Sequence, residues 1–226
     1  MALTIAVPLL LGWIVRRTRS HTSVKIVGQA FALVLVGSYF AHDVRLWHDE
    51  ELTLVRLLPM QLCDWALFST VAALLTRGER WFELAYFWGL GGTLQAIITP
   101  NLSSGFPSAI FLIFFLIHCG IVAALIFLLC ATPLRPHPVS LLRVVLWSEF
   151  YLACALLVNY LTGANFGFLS HKPAGASILG GLSDTRWVYV LEINAIALVF
   201  FGVLYLPFLL RDLASRGRKS EPAPDA

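Results

Sequence analysis

Residues 107–131 read PSAIFLIFFLIHCGIVAALIFLLCA, an apolar run without a single Lys, Arg, Asp or Glu. A helix crosses the hydrocarbon core of a bilayer with roughly 20 apolar residues, so this run alone predicts a transmembrane helix. A helix that is apolar all round needs lipid, or the core of a large protein, as its solvent. The chain is not large, and its composition points to lipid. Of 226 residues, 58% are hydrophobic and 13% are charged, against about 25% charged in soluble domains. Mean hydropathy is +0.79.

Working outward from this run, six more apolar stretches appear, giving seven: about 2–15, 24–41, 52–75, 81–98, 107–131, 140–162 and 187–210. The fourth carries Gly89, Gly91 and Gly92, small residues that let a neighbouring helix approach closely. The first is followed by Arg16, Arg17 and Arg19 and lacks a positive start and a small-residue cleavage site, so it reads as an uncleaved helix. Threading seven helices puts Arg16, Arg17, Arg19, Lys25, Arg77, Arg80, Arg135, Arg143, Arg211, Arg216, Arg218 and Lys219 on one side. Only Arg45, Arg56, Lys172 and Arg186 fall on the other, with the acidic run Asp49-Glu50-Glu51. Cytoplasmic loops carry the Lys and Arg excess. The expected fold is therefore all-α, a polytopic membrane bundle of seven transmembrane helices. Its N-terminus lies outside and its C-terminus in the cytoplasm. Residues 1–212 form the bundle and 213–226 a basic, then disordered, tail. The expected location is the bacterial cytoplasmic membrane, with membrane lipids as partners. Nucleic acid is excluded as a partner, since no basic stripe with interleaved aromatics lies outside the apolar runs. Oligomeric state is not readable from the chain.

Ionisable and amide side chains at membrane depth are costly and usually face the bundle interior. Here they are Gln61 and Asp64 on the third run, Glu83 and Gln95 on the fourth and His118 on the fifth. Glu149 and Asn159 lie on the sixth, and Glu192 and Asn194 on the seventh. Centring each run in the bilayer puts Asp64, His118 and Glu149 near the midplane and Gln95 roughly 8 Å toward the outer side. The expectation is an outward-opening polar cavity floored by Asp64 and His118. Arg56 and Glu192 are expected to pair, and Glu83 to reach the inner headgroups or Arg80. Trp13, Trp47, Trp81 and Trp187 fall at run ends, as interfacial belts require, and Trp65, Trp88 and Trp147 fall deeper. The uncharged stretch Thr99–Pro107, with Asn101, and the Gly- and Ser-rich stretch Gly163–Asp184, with Asn165, are expected as structured outer loops, the second folding over the mouth.

Cys63, Cys119, Cys130 and Cys154 form no CxxC pair, so neither a zinc site nor a disulfide framework is expected, and no metal or cofactor is implied. Walker, GxSxG and HExxH motifs are absent, and the seventh run has no lysine to hold retinal. Two chemistries stay open. In one, Cys63 is a nucleophile and His118 its base, with Asp64 orienting the imidazole. In the other, Asp64, His118 and Glu149 relay a proton or hold a polar group without covalent chemistry.

Several stretches together resemble the YwaF-like family of bacterial integral membrane proteins. They are Leu58-Pro59-Met60-Gln61-Leu62-Cys63, Trp88-Gly89-Leu90-Gly91-Gly92-Thr93-Leu94-Gln95-Ala96 with Thr99-Pro100-Asn101, and Phe106-Pro107 before the helix bearing His118. Gly163-Ala164-Asn165-Phe166-Gly167-Phe168-Leu169 with Lys172-Pro173, and Tyr205-Leu206-Pro207-Phe208, complete the set. The resemblance covers roughly residues 35–210. It extends distantly to animal multi-pass proteins proposed to move acyl chains between phospholipids with a Cys and a His. It implies a lipid acyltransferase or hydrolase with His118 as base. The cysteine of those relatives directly follows the motif's proline, where Met60 stands here; Cys63 is three residues on. Gln61, Gln95, Asn101, Glu149, Asn159, Asn165, Glu192 and Asn194 are the expected substrate-binding set. A non-covalent lipid carrier, a binder of a small polar ligand and a structural partner of another membrane complex are the alternatives.

Overall fold

The computed structural model describes residues 2–18, 21–102, 104–173 and 177–219. Arg19 and the tail from Ser220 lie outside the described residues. The described residues form seven helices and no strand. They are α1 (Ala2–Thr18), α2 (His21–His48), α3 (Leu62–Thr76), α4, α5 (Ala109–Ala131), α6 (Pro138–Thr162) and α7 (Arg186–Lys219). Helix α4 is continuous but changes pitch: an α segment Glu79–Trp88, a π turn Gly89–Thr93 and an α segment Leu94–Ile98. Four helices are long and apolar enough to cross a membrane: His21–His48, Ala109–Ala131, Pro138–Thr162 and the stretch Arg186–Ser215. Thr4–Ile14 and Leu62–Thr76 are shorter apolar helices.

Three boundaries differ from the hydropathy reading, one being the end of α7, which runs to Lys219 rather than stopping near residue 210 and so takes in the first part of the expected tail. Helix α2 runs on to His48 rather than stopping near residue 41, because polar side chains at its end pair along the helix: Arg45 lies 2.6 Å from Asp49. Helix α3 starts at Leu62, not near residue 52. Pro59 has no N–H to donate and forces Leu58 away from helical geometry, so residues 52–61 form turns despite their apolar character. Gln61 is extended (φ −75°, ψ 145°), and its N–H donates to Asp64 Oδ2 at 2.9 Å. Asp64 therefore stands in the first turn of α3, not at its centre.

The glycines of the π turn do what small residues in a membrane bundle are expected to do. A Cβ on Gly89 would lie 2.5 Å from Leu125 Cδ1 of α5, and one on Gly92 would lie 3.0 Å from Leu62 Cδ2 of α3. A Cβ on Gly91 would rest at contact distance from Phe201 and Leu204 of α7. Around this turn Leu35, Leu67, Phe82, Phe87, Ile121, Leu125 and Phe127 form the buried core. Trp88 is buried with them, and its indole N–H donates to Ser148 Oγ at 2.9 Å. Trp13, Trp47, Trp81 and Trp187 are exposed near helix ends, whereas Trp147, expected within the packing, is exposed on α6.

Hydrogen bonds gather the basic connections at one end of the bundle. Arg135, between α5 and α6, lies 2.6 Å from Asp212 on the last part of α7. Arg77, after α3, donates to the His21 carbonyl at the start of α2. Glu83 turns inward rather than toward headgroups or Arg80. It is buried, with both carboxylate oxygens 2.9 Å from Arg143 Nη1, and Oε1 accepts from Ser140 at 2.7 Å. A carboxylate needs such partners to stay charged away from water.

Helix α1 packs on α5 at Gly12, where an added Cβ would lie 2.5 Å from the Cβ of Cys130. That atom sits on backbone and cannot rotate away. Gly12→Ala should therefore destabilise the protein by about 1–3 kcal/mol, read as a lower midpoint of thermal unfolding in detergent. An unchanged midpoint would mean that α1 is not seated on α5.

Candidate functional site

Near the meeting of α2, α3 and α5 lie His118, Cys63 and Asp64, with His42 and Asp43 partly exposed on α2. Among the described residues no hydrogen bond or ion pair joins His118 to Cys63 or to Asp64. His118 is buried in α5, and its Nδ1–H donates to the Phe114 carbonyl at 2.7 Å, with the two rings stacked 3.9 Å apart. That bond leaves Nε2 as the free lone pair of the neutral ring. On α2, His42 Nδ1 lies 3.6 Å from the neighbouring Asp43. Tyr151 of α6 donates its hydroxyl to the Met60 carbonyl at 3.1 Å. The Thr93 hydroxyl, fully buried in the π turn, has no partner in hydrogen-bond geometry among the described residues and lies within reach of the Cys63 thiol.

Other expected site residues are held by local structure. Gln61 Oε1 accepts from the Gly167 N–H at 3.2 Å, fastening the loop after α6 to the start of α3. Gln95 Nε2 donates to Thr99 Oγ1 at 3.2 Å. Buried Asn159 makes a two-way bond with Phe166, donating to its carbonyl at 3.0 Å and accepting from its N–H at 2.8 Å. Asn165 accepts from the N–H groups of Ser170 and His171 and donates to the His171 carbonyl. Glu192 accepts from the Ser183 N–H at 2.7 Å, and Arg56 pairs with Glu51 instead of Glu192. Asn101 is exposed and Asn194 half-buried. In the loop after α6, Phe166 and Leu169 are buried against Tyr151, Ala155, Tyr189 and Val190, while residues 174–176 of that stretch lie outside the described residues. Its Lys172 lies 2.7 Å from Asp184, which holds that exposed carboxyl below the usual carboxylate range.

Glu149 is not in the interior. The buried side of α6 is Ser140, Val144, Tyr151, Ala155 and Asn159, and residue 149 falls roughly 130° from its centre at 3.6 residues per turn. Hydropathy could find its depth but not its facing. Sequence reasoning missed His42 and Asp43, because the second apolar run ends at Ala41, and Tyr39, which lies inside that run and counts there as an apolar residue. The signal lay in the four-residue spacings Ser38/His42 and Tyr39/Asp43, which put polar groups on neighbouring positions of one continued helix.

Asp64 thus has a definable structural task, accepting from the extended Gln61 N–H at the start of α3. Asp64→Ala should cost about 1 kcal/mol of stability, while Asp64→Asn, which keeps an acceptor oxygen, should lose only a few tenths. Equal midpoints for the two variants in thermal unfolding would show that the cap is idle.

The chain matches the TMEM164 family over residues 1–205. It is similar to an uncharacterised protein of Treponema pallidum (strain Nichols), 31% identical over 206 residues that cover 91% of this chain and 80% of that protein. No solved structure matches. An all-helical chain with four helices able to cross a membrane, and a family match running through six of its helices and into the seventh, belongs to the TMEM164 family.

Proposed function

We propose that the chain is a seven-pass protein of the bacterial cytoplasmic membrane, in our reading YwaF-like, that acts on the acyl groups of membrane lipids with His118 as general base. The observation that carries this is the fixed imidazole. With Nδ1–H committed to the Phe114 carbonyl, Nε2 is presented as a proton acceptor at membrane depth. In the covalent version, Nε2 takes the proton of the Cys63 thiol as sulfur attacks an ester carbonyl. The lysolipid oxygen leaves with that proton, and the acyl group stays as a thioester until an alcohol or water removes it. In the hydrolytic version, water replaces the thiol and the products are a lysolipid and a fatty acid.

Seven passes are supported by α4. Its three segments form one helix of residues 79–98, roughly 30 Å long at 1.5 Å per residue. An outside N-terminus is supported by the gathering of basic connections at one end, while cations at the other end are neutralised. Arg45, Arg56 and Lys172 each pair with a carboxylate there. The Treponema relative fits a bacterial setting.

A second reading has its own support. His118, His42, Asp43 and Asp64 lie on three neighbouring helices, α5, α2 and α3, a set of titratable groups of the kind a proton-coupled carrier of a lipid or small polar ligand uses. Lipid profiles of cells expressing the chain separate the two. His118→Ala should abolish the change in acyl composition produced by the wild type, by about 100-fold or more in rate for loss of a general base. Cys63→Ala should do so only in the covalent version. No change in lipid profile on expression, together with pH-dependent uptake into proteoliposomes that Asp64→Asn removes, would establish the carrier instead.

A further inference from the structure

Thr93 closes the π turn of α4 and is fully buried. A threonine in or at the end of a helix commonly satisfies its hydroxyl on the carbonyl four residues back. Thr70, Thr76, Thr132 and Thr162 do so, at 2.7, 2.6, 2.6 and 2.7 Å. For Thr93 that carbonyl belongs to Gly89, and the widened turn gives it to the Leu94 N–H instead. The Thr93 hydroxyl is left without a hydrogen-bond partner among the described residues. A buried donor kept without an acceptor is costly, and π turns occur frequently at functional sites.

The hydroxyl is set against the first turn of α3. A Cβ on the adjoining Gly92 would lie 3.0 Å from Leu62 Cδ2. The next residue of α3, Cys63, has its thiol within reach of Thr93 Oγ1. Cys63 is half-buried, so its sulfur has an open side while Thr93 stands behind it. Cys63 is also the second residue of α3, and its N–H is one of the donors that a helix start leaves without an internal acceptor. That N–H makes no hydrogen bond among the described residues, and Asp64 beside it turns its carboxylate to the Gln61 N–H. Two unused donors therefore flank one sulfur. We infer that Thr93 Oγ–H and the Cys63 N–H form the oxyanion site of the covalent acyl transfer proposed above, on which this inference rests, and that they take the carbonyl oxygen of a lipid carboxylic ester. As sulfur attacks, the S–C bond forms, the thiol proton passes to His118 and the carbonyl π pair moves onto oxygen, where both donors meet it. Collapse restores the C=O bond and breaks the ester C–O bond, and the lysolipid oxygen leaves with the proton from His118. Thr93 keeps its own proton throughout. The start of α3 favours the same negative charge. A hydroxyl with no acceptor in the resting protein contributes only as the charge develops, which is where a fixed donor accelerates the reaction.

The full chain, reconstituted in vesicles of phosphatidylcholine bearing a fluorescent acyl chain, gives the test through the rate at which a hydroxylamine-sensitive fluorescent thioester forms on Cys63. The wild type should become labelled and Cys63→Ala should not. Thr93→Val has the same shape without the donor and should slow labelling about 100- to 1,000-fold. Thr93→Ser, which keeps the donor, should recover the rate to within about tenfold of the wild type. The thermal midpoint of Thr93→Val should equal or exceed that of the wild type, because the hydroxyl removed had no partner. Alkylation of Cys63 by iodoacetamide develops no oxyanion, so Thr93→Val should change its rate by less than about threefold. Wild-type labelling in Thr93→Val overturns the oxyanion role and leaves the acyl reading standing. So does a Thr93→Ser as slow as Thr93→Val, or alkylation slowed as much as labelling. A wild type that releases lysolipid without a thioester overturns this site and keeps the hydrolytic version, and one that does neither overturns both.

Discussion

The close approach of three helices to one short turn of α4 organises this bundle. In lipid there is no hydrophobic drive to bring apolar helices together, so packing and interhelical polar contacts must do it. Gly89-Leu90-Gly91-Gly92-Thr93 supplies the packing. Its three glycines face α5, α7 and α3 respectively, and a methyl group would press on Leu125 at Gly89 and on Leu62 at Gly92. The π pitch goes with this arrangement: five residues in one wide turn set glycines on several sides of the helix at nearly one level. The same turn carries Thr93, whose hydroxyl is buried beside Cys63. The packing centre and the candidate chemistry are therefore neighbours, and neither can be altered without disturbing the other.

Charge is partitioned along the bundle by the same solvent. At the basic end the cations of the connections are partly left for headgroups and partly used as cross-links, as in Arg135 with Asp212 and Arg143 with Glu83. Glu83 is the costly member, a carboxylate 1% exposed, and its position makes sense only with Arg143 and Ser140 on α6 supplying donors. This ties the start of α4 to the start of α6. At the opposite end each loop cation but Arg186 has an acidic partner, and Arg186 stacks over Trp187 at 5.5 Å. The loop after α6 is fastened there by side-chain to backbone bonds from Gln61, Asn159 and Asn165. These amides read as ligand-binding groups in a linear sequence, and the fold occupies them with loop backbone.

The fold class was legible because lipid imposes a simple rule. Every backbone polar group must be satisfied within the helix, so runs such as 107–131 declare themselves by length and lack of charge. Four of the seven helices, α1, α4, α5 and α6, coincide with their apolar runs to within about three residues, while α2 and α7 run on past theirs. The failure at α3 is equally physical: hydropathy counts Leu52, Leu54, Val55, Leu57 and Leu58 as helix, but Pro59 has no N–H and ends that possibility. That error moved Asp64 from the centre of a helix to its first turn.

Sequence alone determined that helices cross an apolar medium, which connections carry the positive charge, and that His118 sits within one of those helices. Only the tertiary structure decided which way each polar side chain faces. His118 and Glu149 have the same apparent depth by counting, yet one is buried in α5 and the other is exposed on α6. Depth is a property of position along one helix and is written in its residues. Facing depends on rotation of that helix against its neighbours, and the rotation is set by glycines and side-chain volumes on other helices, far away in the chain.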